Sequence, residues 1–275
     1  MNQHRQSVIE EFDCNGEPPF ELPPPIVSAT MPNHIPWETD AVPELNPSLI
    51  ESLCALDTPT VCNALELVAP QRRGWGFTVE PLVCVRPGLP PVVAVARTAT
   101  IRAMHPSDVV GSAARELNDA YYDYIDAGPK PSVVVIQDLD APNGGYGAFW
   151  GEVNTHVHRG LGCRGVITDG SVRDLPGCAE GFQLLANRVG PSHAFVHVVD
   201  FGKPVNVAGM RVRDGDLIHA DQHGAVVVPW DIANKVQAAA EQIARREKVI
   251  IDASKEAGFD AKRLRKAWGD AAEIH

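Results

Sequence analysis

The sequence predicts one α/β domain, and three features carry that expectation. Short β-branched runs at 92–104 (VVAVARTATIRAM) and 132–139 (SVVVIQDL) have the length and composition of strands. Stretches of helical spacing lie between and around them. From residue 132 the order is strand, glycine-rich loop, helix, strand, a βαβ unit whose loop falls at the carboxyl end of a strand, where open α/β sheets bind ligands.

Eight of the 23 prolines fall in the first 45 residues, including Pro18-Pro19 and Pro23-Pro24-Pro25. Proline lacks an amide donor and fixes φ, so this segment is neither helix nor central strand. It reads as an extended arm, packed on its own or a neighbouring subunit through Phe20, Ile26, Ile35 and Trp37. Beyond Asn46, Pro47 suits a first helical turn with Ile50, Leu53 and Leu56 at helical spacing, and Thr58-Pro59 starts a second helix through Leu65. A helix from Ser107 to Ala127 ends before Gly128-Pro129, and the strand 132–139 is apolar enough to be buried on both faces. Residues 143–152 (NGGYGAFWGE) form the glycine loop, opening into a helix through about His158; Gly165 to Thr168 is a short buried strand. Further strands are expected at 194–200, 205–207, 210–212, 216–219 and 225–228, with turns at Gly202, Gly209, Gly215 and Gly224. Ile232, Val236, Ala239, Ile243 and Ile250 trace a helical face from Asp231 to about Glu256, and a charged helix follows Gly258. The expected organisation is an arm at 1–45, an α/β domain at 46–230 and a C-terminal helical tail at 231–275.

Twenty-four Lys and Arg stand against 35 Asp and Glu, a net charge of −11, which disfavours a nucleic-acid binder. No apolar run reaches the roughly 18 residues of a membrane span, and Met1 to Glu11 is polar, so a cytoplasmic protein is expected. Cys14, Cys54, Cys62, Cys84, Cys163 and Cys178 form no CxxC pair, which argues against a zinc ribbon, a redox motif or a disulfide scaffold.

Three neighbouring pieces carry chemistry. Gly144-Gly145-Tyr146-Gly147 can present backbone amides to an anion, Glu152 stands early on the next helix, and Arg173-Asp174 follows the strand 165–168 through Asp169. An Arg beside an Asp suits a division of labour in which the guanidinium grips a carboxylate and the Asp holds a hard divalent cation. Two other readings remain open. Gly145 and Gly147 after a strand, with Asp169 ending the next, partly match a dinucleotide fingerprint, although Trp150 stands where its third glycine belongs. His193 with His197, and His219 with His223, could hold zinc or serve as hydrogen-bonded structural histidines.

GAFWGEVN (147–154), GVITDGSVRD (165–174) and GDLIHADQHGAVVVP (215–229), taken with their joint spacing, resemble the RraA-like family over roughly residues 47 to 250. That family comprises class II 4-hydroxy-4-methyl-2-oxoglutarate/4-carboxy-4-hydroxy-2-oxoadipate aldolases, oxaloacetate decarboxylases and the ribonuclease E inhibitor. The resemblance implies an αββα sandwich in homotrimers or homohexamers, active sites between subunits, and Mg²⁺ or Mn²⁺ as cofactor. It further implies that Asp174 ligates the metal, partly through water, and that Arg173 binds the pyruvyl carboxylate and enolate. The amides of Val153 and Asn154 would hold the pyruvate unit and Glu152 would orient metal-bound waters. A further acidic residue would come from a neighbouring subunit's C-terminal helix, Glu247 fitting best and Glu241 being the alternative. The ribonuclease inhibitors lack the Asp after the Arg, so Asp174 favours an enzyme.

Cleavage of a C–C bond next to a 2-oxo acid passes through a pyruvate enolate, which a lysine Schiff base or a metal must hold. The seven lysines, Lys130, Lys203, Lys235, Lys248, Lys255, Lys262 and Lys266, lie in Pro/Gly turns or charged helices, so the metal is expected. The alternative is a non-catalytic regulatory protein on the same scaffold. Where characterised aldolases carry a basic residue for the far carboxylate, this chain has SHAFVH (192–197). On a strand here, His193, Phe195 and His197 would share a face, with His197 setting substrate choice.

Overall fold

The computed structural model describes residues 45–274, so the proline-rich arm, Leu45 apart, lies outside the described residues. In chain order the elements are α1 (Pro47–Cys54), α2 (Thr58–Val68), β1 (Val83–Cys84), β2 (Val92–Arg102), α3 (Gly111–Ala127), β3 (Ser132–Asp138), β4 (Ala148–Trp150), α4 (Glu152–Gly160), β5 (Cys163–Val172), β6 (Gln183–Val189), β7 (His197–Phe201), β8 (Val205–Val207), β9 (Met210–Val212), β10 (Leu217–Asp221), β11 (Gly224–Val228), α5 (Val236–Ser254) and α6 (Ala261–Ala272). One sheet runs in the order β1-β6-β5-β3-β2-β10-β11, with β4 on β5 and β7 on β2, and curls into a nearly closed barrel. β2, β3, β5 and β6 are parallel; the β10–β11 hairpin joins β2 antiparallel.

Strand alternation sorts the core into layers. Val92, Ala94 and Ala96 of β2, with Val133 and Val135 of β3, face inward and are covered by Val205, Val207, Met210 and Val212 of the β8–β9 hairpin. Val93 and Val95 face outward beneath Leu53 of α1, Val61 and Leu65 of α2, and Val236 and Ala239 of α5. Further along the same outer face, Ile101, Val134 and Ile136 meet Tyr121 and Ile125 of α3. Both sides of β3 are therefore buried, as its unbroken apolar run predicts. The first residues of the expected tail, Ile232 to Ala240, belong to the same core as α1 and α2.

Local chemistry sets the helix starts. The Asn46 side chain accepts from Leu49 N (2.8 Å), that of Asp57 from Thr60 N (2.8 Å) and that of Asp260 from Arg263 N (2.8 Å), each cap contributing about 1 kcal/mol. Where the sequence predicts otherwise, side chains or tertiary partners decide. Ser107 Oγ accepts from Val109 N (3.1 Å), a local turn that delays α3 to Gly111. β5 continues through Asp169 to Val172 because β4 and β6 offer it partners on both edges. Within the stretch read as a glycine loop, residues 148–150 form β4, and α4 then begins at Glu152 as expected. β10 starts at Leu217, since Asp216 is held in a turn by its carboxylate accepting from Arg213 N (2.8 Å).

Candidate active site

β4 and β5 run side by side, and each ends at a residue of interest. β4 leads through Gly151 to Glu152, at the start of α4; β5 leads past Val172 to Arg173 and Asp174. Arg173 N donates to Trp150 O (2.8 Å), which extends the pairing to the last residue of β4. Asp174 then turns the chain in the left-handed region (φ 54°, ψ 36°), and its carbonyl accepts from Gly177 N (2.8 Å) and Cys178 N (3.1 Å). Arg173 Nε lies 3.5 Å from Asp174 Oδ2 and is buried, with no hydrogen-bond partner among the described residues.

Two glycines keep this arrangement open. Gly151 is extended (φ −155°), so space rather than conformation demands it: a Cβ there would sit 2.6 Å from Asp174 Oδ2 and 3.2 Å from Arg173 Cγ. A Cβ on Gly177 would sit 2.9 Å from Glu152 Oε2. Each carboxylate thus lies against the bare Cα of a glycine on the opposite segment.

The start of α4 faces the same place. Its first rung is Thr155 N to Gly151 O (3.0 Å), so the amides of Glu152, Val153 and Asn154 precede the ladder at the positive end of the helix. Aromatic packing holds the helix. Tyr122 OH donates to Asn154 Oδ1 (3.0 Å), Asn154 Nδ2 donates to Phe149 O (2.6 Å), and Tyr121 OH lies 2.8 Å from His158 Nε2. His158 Nδ1 faces Asn154 O (2.7 Å), and burial lowers its pKa to about 4. The imidazole is therefore neutral, with Nδ1 donating and Nε2 accepting from Tyr121. Trp150, fully buried, packs on His158 and stacks on Phe182, filling the place that a dinucleotide fingerprint keeps for a small residue.

The other residues singled out by sequence lie apart from this cluster. In the glycine loop, Gly145 N donates to Asp138 Oδ2 (2.7 Å) and Gly144 O accepts from Asn187 Nδ2 (3.1 Å), so that amide serves a carboxylate of its own chain. Asp169 accepts from Asp138 N (2.6 Å), and burial raises its pKa to about 7. His193 and Phe195 do not share a strand face with His197: Val196 N donates to His193 O (3.0 Å), Ala194 has φ 46°, and β7 begins only at His197. The cause is tertiary, since this turn packs on Gly147 and its Ser192 O accepts from Ala148 N (2.9 Å). His219 is a buried structural histidine, bonded to Thr58 Oγ1 (3.0 Å) and to the carbonyls of Leu53 and Leu56 (3.1 Å each), and His223 pairs with Asp221 (3.0 Å). Glu241 and Glu247 are exposed on α5, and among the described residues no hydrogen bond or ion pair joins them or His197 to Arg173 or Asp174. Sequence reasoning passed over Gly177 and Thr155; a glycine after Pro176 reads only as a turn, and a threonine within a helix carries no signal of its partner.

Among the described residues no group of three or more His, Cys, Asp or Glu is placed to hold a metal, so one chain offers at most the pair Glu152 and Asp174. That pair fits a hard divalent cation. Both donors are carboxylates, both are exposed, and both face space that a Cβ on Gly151 or Gly177 would fill.

A family model described as RraA-like, Aldolase/RraA, matches residues 58–227, more than half of the chain. The chain belongs to the RraA-like family. This family includes metal-dependent aldolases and decarboxylases and also ribonuclease-inhibitor members. Among RraA-like structures, that of RraAS2 from Streptomyces coelicolor, described as an unusual member of the RNase ES inhibitor RraA family, is 24% identical with a TM-score of 0.59. The alignment covers 78% of this chain and 98% of that one. An uncharacterised protein from Pseudomonas syringae pv. tomato is 24% identical with a TM-score of 0.59, covering 81% of this chain and 99% of that one. Both likenesses concern the fold. Protein DlpA of Legionella pneumophila is 29% identical over 122 residues, 41% of this chain but only 18% of DlpA. No helix among the described residues is long and apolar enough to cross a membrane.

Proposed function

We propose that this RraA-like protein is a lyase dependent on Mg²⁺ or Mn²⁺, cleaving the C–C bond next to a 2-oxo acid by retro-aldol reaction, β-decarboxylation or both. The observation that carries this reading is the meeting of Glu152, Arg173 and Asp174 around Gly151 and Gly177 at the open end of α4. Asp174 would ligate the cation, Glu152 would orient its bound waters, and the neighbouring subunit's α5, through its Glu247 or Glu241, would add the acidic group that one chain lacks. A site completed by a neighbouring subunit needs an oligomer, and the family resemblance makes it a homotrimer or homohexamer.

When bound, the ion supplies the Lewis acidity that polarises the 2-oxo acid. Arg173 grips the pyruvyl carboxylate through the terminal nitrogens of its guanidinium, while its buried Nε stays turned to Asp174 Oδ2, 3.5 Å away. The amides of Val153 and Asn154, at the positive end of α4, hold the oxygens on which negative charge develops as the C–C bond electrons move into the enolate. In the retro-aldol reaction the C4 hydroxyl gives its proton to water as it becomes the carbonyl of the departing fragment, in decarboxylation CO₂ departs, and in both the enolate carbon then takes a proton from water. Lys130, Lys203, Lys235, Lys248, Lys255, Lys262 and Lys266 are all exposed, which supports a route without a buried Schiff-base lysine.

Turnover of oxaloacetate or a 4-hydroxy-2-oxo diacid is expected to vanish with EDTA and to return with Mg²⁺ or Mn²⁺. Full activity after exhaustive chelation, or a borohydride-trapped substrate adduct, would overturn the mechanism. Recovery of a stoichiometric protein partner, with no metal-dependent turnover of any 2-oxo acid, would assign the chain to the regulatory side of the family.

A further inference from the structure

Asp174 and Glu152 come from segments that no covalent turn connects, yet one ion needs both at a fixed separation. Thr155 joins them. It is fully buried one turn into α4, its Oγ1 donating to Glu152 O (2.9 Å) and accepting from Ala179 N (3.0 Å). Ala179 closes the segment that begins at Asp174, and within that segment the amides of Gly177 and Cys178 both donate to Asp174 O while Cys178 Sγ donates to Arg173 O (3.4 Å). Residues 174–179 therefore form a closed turn, bound to itself and held at its far end by Arg86, whose guanidinium donates to Cys178 O (2.6 Å) and Ala179 O. Among the described residues, the Thr155 hydroxyl makes the hydrogen bonds that tie this turn to α4.

We propose that Thr155 is a positioning residue, holding the Asp174 turn against the first turn of α4 so that Glu152 and Asp174 serve one divalent ion. The proposal rests on the lyase reading above. Removing the hydroxyl leaves Ala179 N buried without its acceptor, and the turn, with Arg86 still holding Cys178 O and Ala179 O, can then shift at its Asp174 end relative to Glu152. The Glu152 carbonyl keeps another partner in His156 Nδ1 (2.8 Å), so the start of the helix is not itself undone. The effect falls on the relation between the two carboxylates.

The test compares wild type, Thr155→Val and Thr155→Ser in the full-length chain. Mn²⁺ binding to metal-free protein is titrated by calorimetry, and kcat and KM are measured for oxaloacetate. Thr155→Val is expected to weaken Mn²⁺ binding by about tenfold or more, the usual effect of losing a group that orients a metal ligand, and to lower kcat more than it raises KM. Thr155→Ser is expected to restore both to within about threefold. Thr155→Ala provides the same comparison should the valine variant not fold. A folded Thr155→Val or Thr155→Ala protein that binds Mn²⁺ like wild type, or a serine variant that restores stability but not binding, would overturn the proposal. Failure of the wild type to bind Mn²⁺ or turn over any 2-oxo acid would sink the lyase reading itself, and this proposal with it.

Discussion

The carboxylate of Asp174 occupies the space into which a side chain at Gly151 would project, a Cβ there falling 2.6 Å from Oδ2. Gly151→Ala must therefore displace Asp174 or break the pairing of Arg173 with Trp150. We expect the protein to fold, with Mn²⁺-dependent turnover reduced by about two orders of magnitude, the loss that an ångström-scale displacement of a reacting group can bring. Gly160, at the far end of the same helix with open space around it, is the control. Gly160→Ala should leave turnover unchanged and gain up to about 1 kcal/mol in stability, measured by urea denaturation.

Asp174 is held in the left-handed region at φ 54°, a conformation that costs an L-residue roughly 1–2 kcal/mol and glycine little. Asp174→Gly is expected to separate stability from function. Its melting temperature should equal or exceed that of wild type by about 2–4 °C, the shift that about 1 kcal/mol gives a domain of this size, while metal-dependent kcat falls by several orders of magnitude. A variant that melts earlier than wild type, or retains near-normal turnover, would contradict the assignment.

Arg173→Lys keeps the positive charge but loses the planar fork and the buried Nε. Steady-state kinetics on oxaloacetate should show KM raised and kcat lowered together, because the same contact serves the substrate carboxylate and the developing enolate. A change confined to KM would restrict Arg173 to ground-state binding.

Much of this site is legible in the sequence, because Glu152, Arg173 and Asp174 sit in short motifs whose spacing survives folding. β3 and the two N-terminal helices are legible for a local reason, a continuous apolar run in one case and Asn46-Pro47 and Asp57-Thr58-Pro59 caps in the others. β4 is not, since residues 148–150 become a strand only by pairing with Ser171 and Val172, more than 20 residues away. The turn at 193–196 is hidden in the same way, fitting against Gly147 from the far side of the chain. Thr155 is the clearest instance: its donor, Ala179 N, is 24 positions distant, and a threonine at the fourth position of a helix announces nothing.

Burial raises the Asp169 pKa to about 7, and it raises that of neighbouring Asp138 in the same direction. An unfolded aspartate ionises near pH 3.9, so between about pH 4 and 7 the folded state holds the extra proton. The contribution of Asp169 to stability is thus fully present below about pH 4 and lost as pH rises through about 7. Asp169→Asn stays neutral throughout and retains an oxygen to accept from Asp138 N. Its melting temperature relative to wild type should therefore climb steadily from about pH 5 to about pH 8. A difference that does not vary with pH would show that Asp169 is ionised across the range.

We propose that His197 sets substrate choice from outside the Glu152–Arg173–Asp174 cluster, without the strand face first expected to be shared with His193 and Phe195. It opens β7 opposite Arg102 at the end of β2, and its Nδ1 lies 2.8 Å from Phe195 O, so Nδ1 is the donor and Nε2 is left for another partner. The turn that precedes it rests on Gly147 and Ala148, the residues that feed β4 toward Glu152. Where a substrate tail extends to this turn, the free Nε2 would meet its far end and accept from a hydroxyl. Oxaloacetate decarboxylation needs only the pyruvyl half, whereas cleavage of a longer 4-hydroxy-2-oxo acid engages the tail. His197→Gln is accordingly expected to keep oxaloacetate kcat/KM within about threefold while losing tenfold or more on the longer acid, the size of one polar contact of about 1.4 kcal/mol. His193 is exposed, and its Nδ1 is turned onto Ala194 O (2.7 Å), so His193→Gln should change neither reaction. Equal losses on both substrates with a lowered melting temperature would instead assign His197 to holding the start of β7.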